Sequence, residues 1–520
     1  MNQAGRQQPT PETAPEAPST VPPSTDAAPG GTVVRSMIRH SAVYMLPTIL
    51  TKGLGFLLLP IYTHAFAPSD YGVLDLITTL GPMVNVVICL EVLQGMVRLR
   101  VDVSPEEQRR LTGTTWLFSL LVYGVFVAVT MPAAPWIAEH VLGSSDLTDV
   151  TRIGIVSMSM NALAGMFLSQ FRWELKSTTY TILTTCYAVT TIGVAAWIAL
   201  GLERGVFGVL VGQAASGALF SLVAVVMARH SVRWVLSGSL LRRMLAYSWP
   251  LVPASLSVTL TLYFDRIALT ILTSLHDVGV FGVAARLASV ITIFVAGLQM
   301  AVMPLIFAHY TEPQTPASLA KIFRWALAVL LGVCLSLHLA AEPLVALLAP
   351  PVYAEAAHLV PVLALAMTVN QLYIFFPGMA LAMKTGQQLA VTVAAACVTL
   401  AANFALIPVL GALGAAVASL SAALVFFVLW AVASQRHYPV PLDFPALARG
   451  VGIFLAVSGA AYALDDSGLA ELPKDAAKLG LLVVFVLGLM ASGMAPLREL
   501  RTGLGSALRR EEPSPPTGDE

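Results

Sequence analysis

The chain has 520 residues, of which 57% are hydrophobic and 11% charged, with 29 basic and 29 acidic side chains in balance. Soluble proteins carry about 25% charged residues, so this sequence lacks the polar surface to coat a soluble body, and its even charge balance gives no sign of a nucleic-acid partner. The apolar residues run in blocks of roughly 20, the length that crosses about 30 Å of hydrocarbon at 1.5 Å per residue.

Residues 1–34 are rich in Pro, Thr, Ala and Glu and hold no apolar core, which predicts a disordered tail rather than a signal peptide. Fourteen apolar spans follow, at roughly 41–65, 72–97, 113–135, 151–171, 179–200, 206–229, 245–272, 278–307, 323–348, 356–382, 389–410, 412–434, 447–464 and 477–496. Gly411 marks a break with almost no loop, and residues 501–520 read as a second tail. Fourteen spans put both termini on one side. With that side cytoplasmic, 22 of the 29 Lys and Arg fall in inner segments and only 4 (Arg152, Arg204, Lys474, Lys478) in outer ones, the bias expected of a protein whose termini are inside.

The chemistry of common enzymes is missing. No outer connection exceeds about 16 residues, short for the sizeable outer loop that membrane polymerases and ligases of surface glycans generally need, and none holds a Ser/His/Asp, Cys/His or HExxH arrangement. There is no Walker A sequence. Cys89, Cys186, Cys334 and Cys397 lie inside apolar spans without metal spacing and read as small packing residues. Trp136, Trp173, Trp234 and Trp249 fall near span ends, as an interfacial aromatic belt requires. An enzyme and a primary pump are both disfavoured, and no cofactor is expected beyond coupling to an H+ or Na+ gradient.

The first and seventh spans open alike, Tyr44-Met45-Leu46-Pro47 against Tyr247-Ser248-Trp249-Pro250. Each is followed by a turn and a Gly-Val, Ser69-Asp70-Tyr71-Gly72-Val73 against His276-Asp277-Val278-Gly279-Val280. This internal repeat sets an N-lobe (35–243, spans 1–6) beside a C-lobe (244–440, spans 7–12), with 441–500 an appended pair of spans. Parallel repeats of this kind usually place a transport path between the halves, near the midplane.

The stretch Phe56-Leu57-Leu58-Leu59-Pro60-Ile61-Tyr62-Thr63 with Asp70-Tyr71-Gly72 resembles the first helical hairpin of Wzx-type polysaccharide flippases. Asp265-Arg266 with Val278-Gly279-Val280-Phe281-Gly282-Val283-Ala284 resembles that family's D-R…G-x-Y-x-x-A signature, Phe281 standing for its usual Tyr. Arg98 matches an Arg often found where the second span meets the cytoplasm. The resemblance, from about residue 36 to 435 and more loosely to 497, implies an all-α, MOP/MATE-like fold with two six-helix lobes around a central cavity. It also implies turning undecaprenyl-diphosphate-linked oligosaccharides (O-antigen or exopolysaccharide units) across the bacterial inner membrane by alternating access. The implied partners are the bilayer, the lipid-linked glycan, a polysaccharide polymerase and a chain-length regulator.

Charges are costly at membrane depth and therefore mark wet cavities or partners. Six fall there: Lys52, Asp75, Glu91, Asp265, Arg266 and Arg286. Lys52, Arg266 and Arg286 are the candidate substrate-binding cations, because a diphosphate calls for charge and Arg offers two donors in one plane. A competing reading pairs Asp265 with Arg286 as a strut inside one lobe and lets Arg266 snorkel outward. Asp75, Glu91 and Asp265 are candidates for ion coupling, with buried structural acids as the plainer alternative. Pro47 and Pro250 stand at matching positions and are candidate hinges. The rival functions are a MurJ-like lipid II flippase, weakened by a first lobe with only Lys52 at depth, and a MATE-like cation-coupled drug exporter, weakened by the extra pair of spans. A membrane glycan polymerase or ligase is weakened by the short outer loops.

Overall fold

The computed structural model describes Gly53, Phe56 and residues 58–494, excepting 101, 175 and 466–470. Lys52, Pro47 and both tails expected from the sequence lie outside the described residues. Everything with regular structure among the described residues is helical. Among the described residues ten helices are long and apolar enough to cross a membrane, eleven with one bent pair counted as a span. Many apolar side chains point outward from them, Leu121, Val129, Leu222, Leu347 and Val409 among them, as a lipid-facing surface requires. The protein is a multi-pass membrane protein.

A helical stretch at 58–65 is followed by α1 (Pro68–Cys89), α2 (Val92–Arg100), α3 (Pro105–Val141), α4 (Thr148–Trp173), α5 (Ser177–Ala196) and α6 (Gly205–Met227). Then come α7 (Gly238–Ser248), α8 (Val252–Leu272), α9 (Leu275–Ala288), α10 (Ile291–His309), α11 (Thr315–Leu339), α12 (Ala341–Leu348) and α13 (Ala356–Gln371). The last are α14 (Thr385–Gln435), α15 (Phe444–Asp465) and α16 (Glu471–Ala491).

The helices differ from the fourteen predicted spans in instructive ways. The span at 72–97 is not one helix, for it breaks between α1 and α2 at Leu90 and Glu91, both with positive φ (50° and 54°). No proline or glycine sits at the break. Its cause is tertiary: the Cα of Gly95 approaches α7 so closely that a Cβ there would stand 2.5 Å from the Met244 carbonyl oxygen, and α2 must turn to lie on α7. The span at 278–307 bends by 42° between α9 and α10. The span at 356–382 ends its helix at Gln371, continues as a tight turn through Leu372–Phe375 and meets Pro377, which has no N–H to prolong it.

Gly411 behaves as its sequence position suggests. It interrupts α14 with φ 58° and ψ −134°, a conformation reserved for glycine. Asn403 and Ser419, eight residues to either side, both bond to one carboxylate, that of Asp265. Along a straight helix they would lie roughly 24 Å apart, so the chain doubles back here and α14 is two antiparallel arms.

The buried side chains gather into one cluster centred on α8 to α14, which also takes in α1, and a second formed by α2 to α7 around Trp116, Phe167 and Phe171. α15 and α16 pack on each other and on α11, with Phe454 against Phe485 and Lys478 reaching Glu342 at 3.3 Å.

Candidate functional site

The two halves of the sequence repeat meet where α1 crosses α9. A Cβ on Gly72 would stand 2.0 Å from the carbonyl oxygen of Leu275, and one on Gly279 would stand 1.9 Å from that of Pro68. Pro68 and Leu275 each lie four residues ahead of the repeat glycine of their own half, so the contact is reciprocal, as a two-fold relation between repeats demands. The helix starts are fixed locally. Pro68 occupies the first turn of α1, where its missing N–H costs nothing, and the Ser274 hydroxyl accepts from the Asp277 N–H at the start of α9. Around the crossing, Tyr353 donates to the Phe66 carbonyl at 2.9 Å and Thr63 donates to that of Leu348 at 2.6 Å.

The pseudo-symmetry fails one turn further on, and the charges sit there. Asp75 has Gly282 as its counterpart, and a Cβ on Gly282 would come within 3.0 Å of the Asp75 carboxyl. Into the space so left, α8 sends Arg266, whose Nε donates to Asp75 Oδ2 at 3.1 Å while its Cζ lies 5.0 Å from the centre of the Phe281 ring. The pair is largely withdrawn from solvent, at 12% and 11% side-chain exposure. Arg286 faces Tyr71, Asp75 and Tyr62. Asp265 is fully buried and turns the other way, accepting from Ser419 Oγ at 2.5 Å and Asn403 Nδ2 at 2.8 Å.

The strut between Asp265 and Arg286 is therefore not formed, and Arg266 does not snorkel outward. The observed ion pair joins the two halves of the repeat. Asp75 and Arg266 are 191 positions apart, and nothing local in the sequence marks them as partners. Ser419 and Asn403 escaped sequence reasoning for the same reason.

Three adjoining cavities lie around this cluster, one lined by it and two bordering that one. One of about 500 Å³ is lined by Asp75, Asp265, Arg266 and Arg286. It shares Thr261, Leu262, Asn370 and Gln371 with a cavity of about 840 Å³ that reaches Pro250, Gln388 and Trp430. A third, of about 690 Å³, lies among α1 to α6 and runs from Thr78, which also lines the first, to Gln94 and Arg172. Both large cavities extend toward the end of the bundle that carries Arg100, away from the glycine crossing. Glu91, at the strained break, lines both. Pro250 sits in the tight turn Trp249–Leu251 between α7 and α8. Arg98 pairs with Asp102 at the exposed end of α2. Among the described residues no group of three or more His, Cys, Asp or Glu is placed to hold a metal ion.

Apolar helices in two crossed repeats, with a charged cluster and its cavities at the crossing, make a helical membrane fold that is shared with solved MurJ and MATE structures. A structure of the lipid II flippase MurJ in its inward closed conformation superposes with a TM-score of 0.71 at 12% identity, covering 89% of this chain and 99% of that one. An inward-facing multidrug resistance MATE family transporter of the MOP superfamily gives a TM-score of 0.59 at 14% identity, over 76% and 98% of the two chains. No curated protein matches the sequence. The chain belongs to the polysaccharide biosynthesis protein family, whose model matches residues 37–310.

Proposed function

We propose that the protein flips an undecaprenyl-diphosphate-linked oligosaccharide across the cytoplasmic membrane by alternating access, for O-antigen or exopolysaccharide assembly. Family membership supports this reading, and one observation carries it furthest: the cations Arg266 and Arg286 line a cavity where the halves cross, and two larger cavities, one from each half, border it. Cavities of several hundred Å³ are of the size that takes a small organic ligand, and guanidinium groups in a shielded site suit phosphate oxygens. The glycine crossing would then be the closed outer end, and opening would part α1 from α9. Pro250 and Pro47 would serve as hinges. Deleting the gene is expected to abolish surface polysaccharide while leaving resistance to cationic dyes unchanged. Intact polysaccharide with raised dye sensitivity would favour a drug exporter, and arrest of cell-wall growth a lipid II flippase.

The same reading assigns the coupling ion to Asp265. Its carboxylate, the Ser419 hydroxyl and the amide oxygen of Asn403, which is buried with no hydrogen-bond partner among the described residues, supply the oxygen donors that hard cations take. Asp265→Asn is expected to remove the dependence of transport on an imposed Na+ or H+ gradient in proteoliposomes. Unaltered gradient dependence would clear Asp265 of this role and turn attention to Glu91.

The basic residues place both termini in the cytoplasm in this proposal. Fusions after residue 500 are expected to fluoresce with a cytoplasmic reporter and to be silent with a periplasmic phosphatase. A phosphatase-positive fusion would mean an odd number of spans and would undo the pairing of spans 1–6 with 7–12.

A further inference from the structure

The deep cations are already engaged, Arg266 by Asp75 and Arg286 by the group around Tyr71. A phosphate approaching from the Arg100 end would meet a different residue first. Arg172 closes α4 and lines the 690 Å³ cavity at that end, the basic residue among its described lining. The 840 Å³ cavity has no basic residue in its described lining.

Arg172 is also held in an unusual way. Its Cζ lies 4.6 Å from the centre of the Trp173 ring and 5.8 Å from that of Tyr180. These contacts fix the guanidinium plane without using up its donors. The nearest acid in sequence, Glu174, is occupied: Lys176 sits 2.7 Å from one oxygen and Gln170 donates to the other at 2.8 Å. Those donors outweigh the burial of Glu174, which by itself would push its carboxyl up, and leave it below the usual carboxylate range. Glu174 therefore stays ionised but turned to its own partners. Among the described residues no carboxylate lies within ion-pair distance of Arg172; Glu91 lines the same cavity further in. A membrane anchor would need neither the cavity nor the aromatic clamp, since an arginine at a span end simply extends to water.

We propose that Arg172 is a phosphate-binding residue at the mouth of the α1–α6 cavity, taking the phosphate of a lipid-borne ligand before that ligand reaches Arg266 and Arg286. For a diphosphate-linked substrate this rests on the flippase reading above; for the phosphate of a bilayer lipid it does not.

The test uses the full chain in phosphatidylcholine nanodiscs. Geranylgeranyl diphosphate binding is followed by calorimetry, and phosphatidylglycerol retained by the purified protein is counted by native mass spectrometry. Arg172→Ala is expected to weaken diphosphate binding about ten- to a hundredfold, the effect of losing one charge-assisted contact. Arg172→Lys, which keeps the charge but not the planar stack, should fall between it and the wild type, and it carries the test if the alanine variant fails to assemble. Arg98→Ala, an exposed arginine at the same end, should change binding less than twofold.

Loss of diphosphate binding alone supports the proposal with the substrate as the phosphate source. Loss of retained phosphatidylglycerol alone supports it with a bilayer lipid as the source. Unchanged binding of both probes overturns it, and so does an equal loss in Arg98→Ala, which would reduce the effect to general positive charge. Failure of the wild-type protein to bind the diphosphate would count against the flippase reading, while the phosphatidylglycerol arm would still decide the site.

Discussion

Gly279→Ala is expected to abolish export while the protein still reaches the membrane. The added Cβ would stand 1.9 Å from the Pro68 carbonyl oxygen, and backbone cannot rotate aside as a side chain can. α1 and α9 would have to move apart by more than about 1 Å, because packed interiors have no slack to absorb an extra methyl group. That displacement also stretches the 3.1 Å contact between Arg266 and Asp75. In a transporter that alternates between two closed ends, a variant that cannot seal one end leaks or stalls. The measurement is export, with thiol labelling from outside at a Ser289→Cys site on the 500 Å³ cavity in a background without the native cysteines. Export should fall at least about tenfold and labelling should quicken. Gly72→Ala, whose Cβ meets the Leu275 carbonyl at 2.0 Å, should do the same because the crossing is reciprocal. Normal export and unchanged labelling in both variants would show that the crossing is not a gate.

The sequence announces this crossing more clearly than it announces the charges around it. Two Gly-Val pairs at matching places in a repeat are a local signal, and the structure gives those glycines one task in both halves. The Gly411 turn is legible for a similar reason, since one residue type alone tolerates its conformation. Asp75, Arg266, Asp265 and Arg286 are legible as costly charges in apolar spans, but not as partners. One reading of the sequence, the competing one, pairs Asp265 with Arg286; the packing gives Asp75 with Arg266, and Asp265 with Asn403 and Ser419. Pairing across 191 positions depends on which faces of α1, α8 and α9 meet, and for α1 and α9 the glycine contacts fix that. Glu91 shows the same limit. Its break carries no proline or glycine, because the cause lies on α7 at Met244.

Separate alanine changes at Asp75 and Arg266 are each expected to destabilise the protein strongly, and the double change to recover most of that loss. Breaking a shielded ion pair from one side strands the other charge, at a cost of about 3–5 kcal/mol, whereas removing both charges together is close to neutral; Arg286, which also faces Asp75, makes the loss of Arg266 the milder of the two single changes. The exposures of 12% and 11% place this pair near the shielded limit. Unfolding of the purified variants in one detergent reads the coupling through a double-mutant cycle. Export reads something different. If Arg266 serves only as a latch between the halves, the double variant should regain export along with stability. If it also takes the substrate's diphosphate once Asp75 releases it, the double variant should be stable and still inactive. The second outcome is expected, because Arg266 lines the cavity that the two larger ones border and one guanidinium can bind a carboxylate in one state and a phosphate in another. Additive losses in the two single variants, with no recovery in the double, would mean that the contact between Asp75 and Arg266 contributes little and that the halves are held by the glycine crossing alone.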